Sequence, residues 1–474
     1  MRKYLAILLG ILLIFSFAAT AFAIHVEELP PEAVVTKGPA SIMLGGKILV
    51  RGWYFKNVGS VTTEDEEGET LVLNNLPVRT DSQAFYTTNA NLTVSVKVGD
   101  NVRGYMDLET ASGGSGNPNS GLYVWGTYDT KPAADLFFRE LWLQYSGSGL
   151  MGVPVGVKAG HMPITLGEKQ FLNNERFGDD AILLWIDPAK ELHILLGTAK
   201  MNEGVKENHT DDLDGYVALF TYMWDKANTV GANWTWAHSD GRVPSLPGSP
   251  NVDELNFHNI GIHGNGKIAG VTYSAEADFQ FGKAKDVLFE GNDMKFRGWG
   301  VFAKLGYMID PINLRASFAY GSGDNDNDDK NEEFQTLQGP DELAPVARIV
   351  HYTQIYERTV RTTAQQAVLT TTLGGNVRNT NIANTTYYNV GLDVNPTKEL
   401  SLSLDGFIIR ASKNQFGSKS AGTELDIKGN YKIATNLSYF VEAGAFWPGD
   451  YYEDTFDIKD KTVSQVVHGL LLTF

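Results

Sequence analysis

The chain has 474 residues, a formal net charge of −17 and no cysteine, with 43% hydrophobic and 11% aromatic residues and 49 glycines. The missing cysteine excludes a thiol-linked lipid anchor, disulfide staples and thiolate metal sites. So acidic a chain has no basis for non-specific nucleic-acid binding, which is driven by neutralising phosphates, and no nucleic-acid partner is expected.

The N-terminus reads as a secretory signal. Arg2 and Lys3 form a positive start, Leu5 to Phe17 an apolar stretch, and Ala21-Phe22-Ala23 an A-x-A cleavage site. Residues 1–23 are therefore expected to be a signal peptide and Ile24 the mature start, and removing the cations of Arg2 and Lys3 takes the charge from −17 to −19. The apolar run is shorter than the roughly 20 residues that span a bilayer as a helix. After Ile24 no long apolar run occurs, yet apolar and polar residues alternate strongly, which is how a transmembrane barrel escapes hydropathy analysis. Residues 24–40 form a short Pro-bearing lead, and 41–474 one domain.

From Ser41 the chain divides into segments of about ten residues with period-two alternation, the pattern of strands with one face to lipid and one to a lumen. In Val102 to Thr110, Val102, Met106 and Leu108 face away from Arg103, Asp107 and Glu109. The clearest case is Val271 to Phe281, whose Tyr273, Ala275, Ala277, Phe279 and Phe281 alternate with Ser274, Glu276, Asp278 and Gln280. Tyr388, Val390, Leu392 and Val394 against Asn389 and Asp393 repeat it. Phe137 to Tyr145 alternates poorly, and leaves open which of Arg139 and Glu140 points inward.

Connection lengths alternate too. Short turns are expected at Gly99-Asp100-Asn101, Asp187 to Lys190, Asp225 to Asn228, Gly264 to Lys267, Asp310 to Asn313 and Asn395 to Lys398, and long polar segments such as 64–75, 111–134, 201–213, 239–254 and 321–383 lie between them. Short on one side and long on the other is the asymmetry between periplasmic turns and extracellular loops. The fold expected is all-β: a transmembrane antiparallel β-barrel of about 18 strands, with 16 as the alternative count. Aromatics near strand ends, among them Trp53, Tyr54, Phe55, Tyr387, Tyr388, Phe446, Trp447, Tyr451 and Tyr452, fit interfacial girdles.

With the apolar alternates toward lipid, the expected pore-lining set is Arg51, Lys97, Arg103, Asp107, Glu109, Lys158, Glu276, Asp278, Lys304 and Arg315, and Lys428, Asp393, Asp405, Glu424, Asp426 and Glu442 fall on the same face. Charge facing lipid near the midplane is costly, so these positions imply a polar interior. Residues 162–178, after the fifth strand, carry Glu168, Lys169, Glu175 and Arg176 and occupy the place of a constriction loop, with an ordinary outer loop as the alternative. A second segment, Leu343 to Leu373, carries Arg348, His351, Arg358 and Arg361, a basic patch that is either an exposed loop or a plug.

No recognised chemistry competes with transport. Gly261 to Ile268 matches a phosphate-binding loop until Ile268 stands where Ser or Thr is needed. The acidic run Asp324 to Asp329 lacks the glycine and the glutamate of a calcium loop, and neither an H-E-x-x-H pair nor a G-x-S-x-G elbow occurs. No catalytic residue, metal or cofactor is implied.

Near the C-terminus, Gly422 to Asp426, Val441-Glu442-Ala443-Gly444 and Phe446-Trp447-Pro448-Gly449-Asp450, together with Tyr320 to Asp324, resemble segments of alginate-export-type outer-membrane porins. The resemblance implies passage of a hydrophilic, often anionic, solute or polymer through a water-filled barrel without energy input. That family's exporter has a pore lined by bases, whereas the set here holds at least as many acids, so architecture and transport role carry over and alginate does not. The function expected is an outer-membrane porin for hydrophilic solutes, including oligosaccharides or other anions. The alternatives are a structural or interaction barrel, such as an adhesin or the sheath of an electron-transfer conduit, and then an enzyme. Phe474 closes the chain on a strand whose Val466, Leu470 and Leu472 point to lipid, the ending that the barrel-assembly machinery of Gram-negative outer membranes reads. Expected partners are that machinery, outer-membrane lipid and lipopolysaccharide, and the solute.

Overall fold

In a computed structural model of the chain, residues 34–38, 40–57, 71–73, 76–78, 82–110, 123–125, 136–175, 178–202, 212–240, 254–287, 292–324, 329–338, 352–360, 381–456 and 461–474 are described. The expected signal peptide lies outside them.

Eighteen antiparallel strands close into one barrel. In chain order they are β1 (Ala40–Lys56), β2 (Ser82–Val98), β3 (Val102–Thr110), β4 (Leu136–Ser148), β5 (Pro154–Met162), β6 (Asp179–Ala189), β7 (Leu192–Asn202), β8 (Leu213–Asp225) and β9 (Asn228–Ser239). The second half comprises β10 (Glu254–Ile268), β11 (Val271–Val287), β12 (Trp299–Ile309), β13 (Ile312–Gly321), β14 (Thr385–Val394), β15 (Leu400–Ala411), β16 (Ser420–Ala434), β17 (Leu437–Pro448) and β18 (Val463–Thr473). Each pairs with its neighbour in sequence, and β1 pairs with β18 from Lys47↔Thr473 to Lys56↔Ser464, which removes both sheet edges. The terminal residue joins the closure, because Phe474 N–H donates to Gly46 O at 3.0 Å and Gly46 N–H to Phe474 O at 2.7 Å. Val34–Lys37, within the expected lead, forms a short strand against the foot of β1.

Period-two alternation decides the two faces. On β11, Glu276, Asp278 and Gln280 are buried while Phe279 and Phe281 are exposed. On β4 the outward Leu141, Leu143 and Tyr145 are exposed, Leu143 at 69%. The irregular stretch Phe137 to Tyr145 is a β-bulge: β3 and β4 pair Asp107↔Glu140 and then Leu108↔Phe138, leaving Arg139 as the extra residue. The alternation fails there because the strand carries one residue too many.

Two expectations are corrected. The β10–β11 turn is not at Gly264 to Lys267, because β10 continues to Ile268 and the connection is Ala269-Gly270. Gly266 serves a close approach, since a Cβ there would lie 2.1 Å from Asn228 Oδ1. The strand-end aromatics also do not all form girdles. Tyr54, Tyr388 and Trp447 point outward, but Trp53, Phe55, Tyr387 and Phe446 point inward and are buried, as are Tyr451 and Tyr452 of the short helix Asp450–Phe456. Neighbours on a strand face opposite ways, so an aromatic pair must serve both faces. The inward rings join Phe171, Phe257, Phe334, Ile355 and Tyr356 in an apolar core inside the barrel wall.

Face assignment gives a direct test. Leu143→Arg on the lipid face should destabilise the barrel by about 2 to 4 kcal/mol if it lies near the midplane. Gln144→Arg, one residue along on the lumen face, should cost well under that. Urea titration of the protein refolded in lipid vesicles measures both, and equal losses would refute the orientation.

Candidate functional site

The lumen is crossed by chain that leaves the wall between β5 and β6. Residues 163–175 fold back on themselves, with Leu166 N–H donating to Leu172 O and Asn174 N–H to Ile164 O, and run inward. Across the lumen, Glu168 N–H donates to the Glu276 carboxylate of β11, and Asn265 of β10 donates to Glu168 Oε1 at 2.8 Å. Gly167 makes this contact possible: its φ is +54°, and a Cβ would sit 2.7 Å from Glu276 Oε2. Lys169 pairs with Glu175 within the loop. Arg176, the fourth residue expected here, lies outside the described residues.

A second inward segment locks onto the first. Tyr352 Oη donates to Gln170 Oε1 at 2.6 Å, Asn381 Nδ2 donates to Gln170 O at 2.9 Å, and Leu337 N–H to Phe171 O at 2.8 Å. Residues 352–360 lie against β16, where Ile355 and Tyr356 N–H donate to the two oxygens of Glu424 at 2.6 and 2.8 Å and Gln354 N–H to Asp426 at 3.1 Å. Tyr352 stacks on Tyr387 at 4.3 Å and Tyr356 packs on Phe446 at 5.7 Å. Of the basic patch expected in this region, Arg348, His351 and Arg361 and the side chain of Arg358 lie outside the described residues.

The pore-facing candidates fall into distinct environments. Asp107 and Glu109 are buried in a network in which Asn89 donates to Glu109, Asn91 to both acids, and Arg139 Nε to Asp107 at 2.8 Å. Arg139 also reaches Glu140 at 3.1 Å, so the bulge turns both members of that pair inward, and Glu140 accepts from Trp142 Nε1. Lys158 sits over the Trp142 ring at 4.0 Å, and Arg51 over Trp53 at 4.6 Å. Glu276 and Asp278 are buried on β11, with Asn259 donating to Asp278 at 2.8 Å. Arg315 is held by Asp393 and Asp405, with four contacts between 2.8 and 3.0 Å. Lys97 pairs with Asp100 beside the turn, while Arg103 and Lys304 are exposed, and among the described residues no carboxylate lies within 4.0 Å of either.

The arrangement thus joins Glu168 to Glu276 and Asp107 to Glu109, but keeps Arg315 apart from them in its own cluster. Sequence reasoning missed Gln170, Tyr352 and Tyr356, whose positions depend on loop contacts distant in sequence. The bulge was signalled by broken alternation, and Glu424 and Asp426 by their place on the lumen face.

A closed 18-stranded barrel with an apolar outer belt, a polar lumen face and inward-folded loops is an outer-membrane, channel-like barrel. Its place is the bacterial outer membrane. The chain belongs to the alginate export family, whose sequence profile matches residues 204–464, more than half its length. Among solved structures, OccK8 (OprE) of Pseudomonas aeruginosa aligns at a TM-score of 0.50 with 11% identity, covering 91% of this chain and 98% of that one. OccK5 (OpdH) of the same species aligns at 0.49 with 10% identity over 91% and 98%. The outer membrane channel DcaP of Acinetobacter baumannii aligns at 0.43 with 14% identity over 93% and 99%. At such identities the likeness to OccK8 speaks for the fold alone. No curated protein sequence matches the chain.

Two substitutions test these contacts. Gly167→Ala should strain a left-handed residue and push against Glu276, releasing the loop tip, and should appear as a larger, noisier single-channel conductance at unchanged barrel melting. Arg315→Met leaves the part-buried Asp393 and Asp405 facing each other without their cation and should cost about 1 to 3 kcal/mol, below the penalty for a fully buried pair because solvent still reaches Asp393. A lowered heat-modifiability temperature on electrophoresis would register it.

Proposed function

We propose that the protein is a passive channel for hydrophilic solutes, narrowed by residues 163–175 and 352–360, and that it favours anions. The observation that carries this reading is the inward loop, whose Glu168 N–H bonds to Glu276 on a wall strand five positions beyond β6 in the barrel. A loop in that place divides a wide barrel into a size-limited passage. Catalysis has no comparable support.

The preference for anions rests on which charges are exposed to solvent. Asp107, Glu109, Glu276, Asp278, Glu424 and Asp426 are buried and bonded into the wall or to the inward segments. Arg103 and Lys304, toward the short-turn end, are exposed. Solutes entering from that end therefore meet basic side chains, and the pore-lining roles of Arg51, Lys97, Lys158 and Arg315 are supporting ones within paired or stacked clusters. Oligosaccharides or small anionic compounds fit this reading. The lipid-facing row and the C-terminal Phe474 support outer-membrane lipid and the barrel-assembly machinery as partners.

Planar bilayers test the reading. Purified protein should give stable, step-like conductance, and its absence in a folded, heat-modifiable barrel would end the channel proposal. Under a salt gradient, Arg103→Glu should move the reversal potential toward cation selectivity, by more than Lys97→Glu, whose charge is already partnered. An unmoved potential would remove Arg103 from the conduction path.

A further inference from the structure

The outer wall carries a cationic groove that transport through the lumen does not explain. The lipid-facing row of β11 climbs from Phe279 and Phe281 to Lys283 and Lys285, and the short strand Asn292–Phe296 sets Lys295 opposite Lys283 in register. Arg297 follows two residues on, exposed like Lys295. Between them lies a cavity of about 460 Å³, lined by Lys283, Lys295 and Arg297 above Asn256, His258 and Phe281, with no carboxylate in its lining. The nearest acids sit outside it: Glu254 bonds Lys285 and lies 4.0 Å from Lys283, Asp329 lies 2.5 Å from Lys295, and Asp293, within the short strand, is exposed. Among the described residues no carboxylate lies within 4.0 Å of the Arg297 guanidinium.

Depth identifies the ligand. His258 stacks on Phe281 at 4.8 Å and on Trp234 and Trp236 at 5.9 Å each, so the floor of the groove belongs to an aromatic belt on the outer face. Such belts mark the boundary between hydrocarbon and headgroups, and the cations stand one or two side chains above it, toward the long loops. We propose that this groove binds a phosphate of an outer-leaflet glycolipid headgroup, a phosphorylated glucosamine lipid of the lipopolysaccharide type. The phosphate lies between Lys283, Lys295 and the Arg297 fork, and an acyl chain descends over Phe281 and Phe279. Guanidinium and ammonium groups bind phosphate by charge-assisted hydrogen bonds, and basic pockets at the membrane surface recognise anionic headgroups in this way. The outward opening separates it from any solute in the lumen.

The delipidated barrel in detergent should bind bisphosphorylated lipid A, read by native mass spectrometry and by a raised melting temperature. The combined variant Lys283→Gln, Lys295→Gln, Arg297→Gln should weaken binding about a hundredfold, roughly a factor of five for each cation. Lys200→Gln, an exposed lysine near the long-loop end of β7, should bind as the parent does. Heat-modifiable mobility establishes that each variant is folded. If the triple variant fails to fold, wild-type protein with dephosphorylated lipid A decides, since equal binding overturns the proposal. Equal affinity for inorganic phosphate overturns the lipid assignment, and undiminished binding by a folded triple variant overturns the site. The triple variant should conduct as the parent does in planar bilayers, because the groove faces away from the lumen, and altered conductance overturns that placement.

Discussion

Everything in this molecule follows from the need to pair every backbone amide within a medium that offers no hydrogen bonds. An open sheet would leave two rows of unpaired N–H and C=O groups in hydrocarbon, at several kcal/mol per group, so the first strand must meet the last. The pairing of Lys47 to Lys56 with Ser464 to Thr473 achieves this, and Phe474 extends it by two hydrogen bonds to Gly46. Once the sheet is closed, each strand has one face that must be apolar and one that can be anything. The freedom of the inner face is what the rest of the sequence uses.

That inner face is used in two ways. In its upper part, aromatic residues such as Phe257, Phe296 and Phe446 receive the inward loops as an apolar core, much as a soluble domain packs. Below and beside it, acids act as anchors. Glu424 and Glu276 each accept backbone N–H groups from segments that would otherwise carry unsatisfied donors into the lumen. A carboxylate is well suited to this, since it accepts several hydrogen bonds at once.

Much of the architecture was legible in the sequence, because closure imposes a period of two and the membrane imposes alternating connection lengths. Glu276, Asp278, Phe279 and Phe281 could be assigned to faces by inspection. Legibility failed where a residue's role depends on distant chain. Trp53 and Phe55 read as girdle residues because nothing local records that they turn inward and pack with Phe85 of the next strand. Glycines at 264 and 266 read as a turn because close approach by the neighbouring strand, Thr229 O at Gly264 and Asn228 Oδ1 at Gly266, leaves the same mark as chain reversal. The Arg139 bulge was visible only as a break in the pattern, although that irregularity sets Arg139 between two acids, Asp107 and Glu140.

Counting charges on the lumen face therefore gives a misleading picture of what a solute meets. By number the acids match or exceed the bases, which argues against an anion path. By environment the balance reverses, because most of these acids are consumed in holding the wall and the inward segments, and Arg315 is consumed with Asp393 and Asp405. Arg103 and Lys304 are exposed with no carboxylate within 4.0 Å among the described residues, and they lie on strands far apart in the barrel. A lumen rich in carboxylate can in this way leave bases available to a solute, which is the basis of the anion preference proposed above. Which charges are structural and which are functional is a property of hydrogen-bond partners, and composition does not carry it.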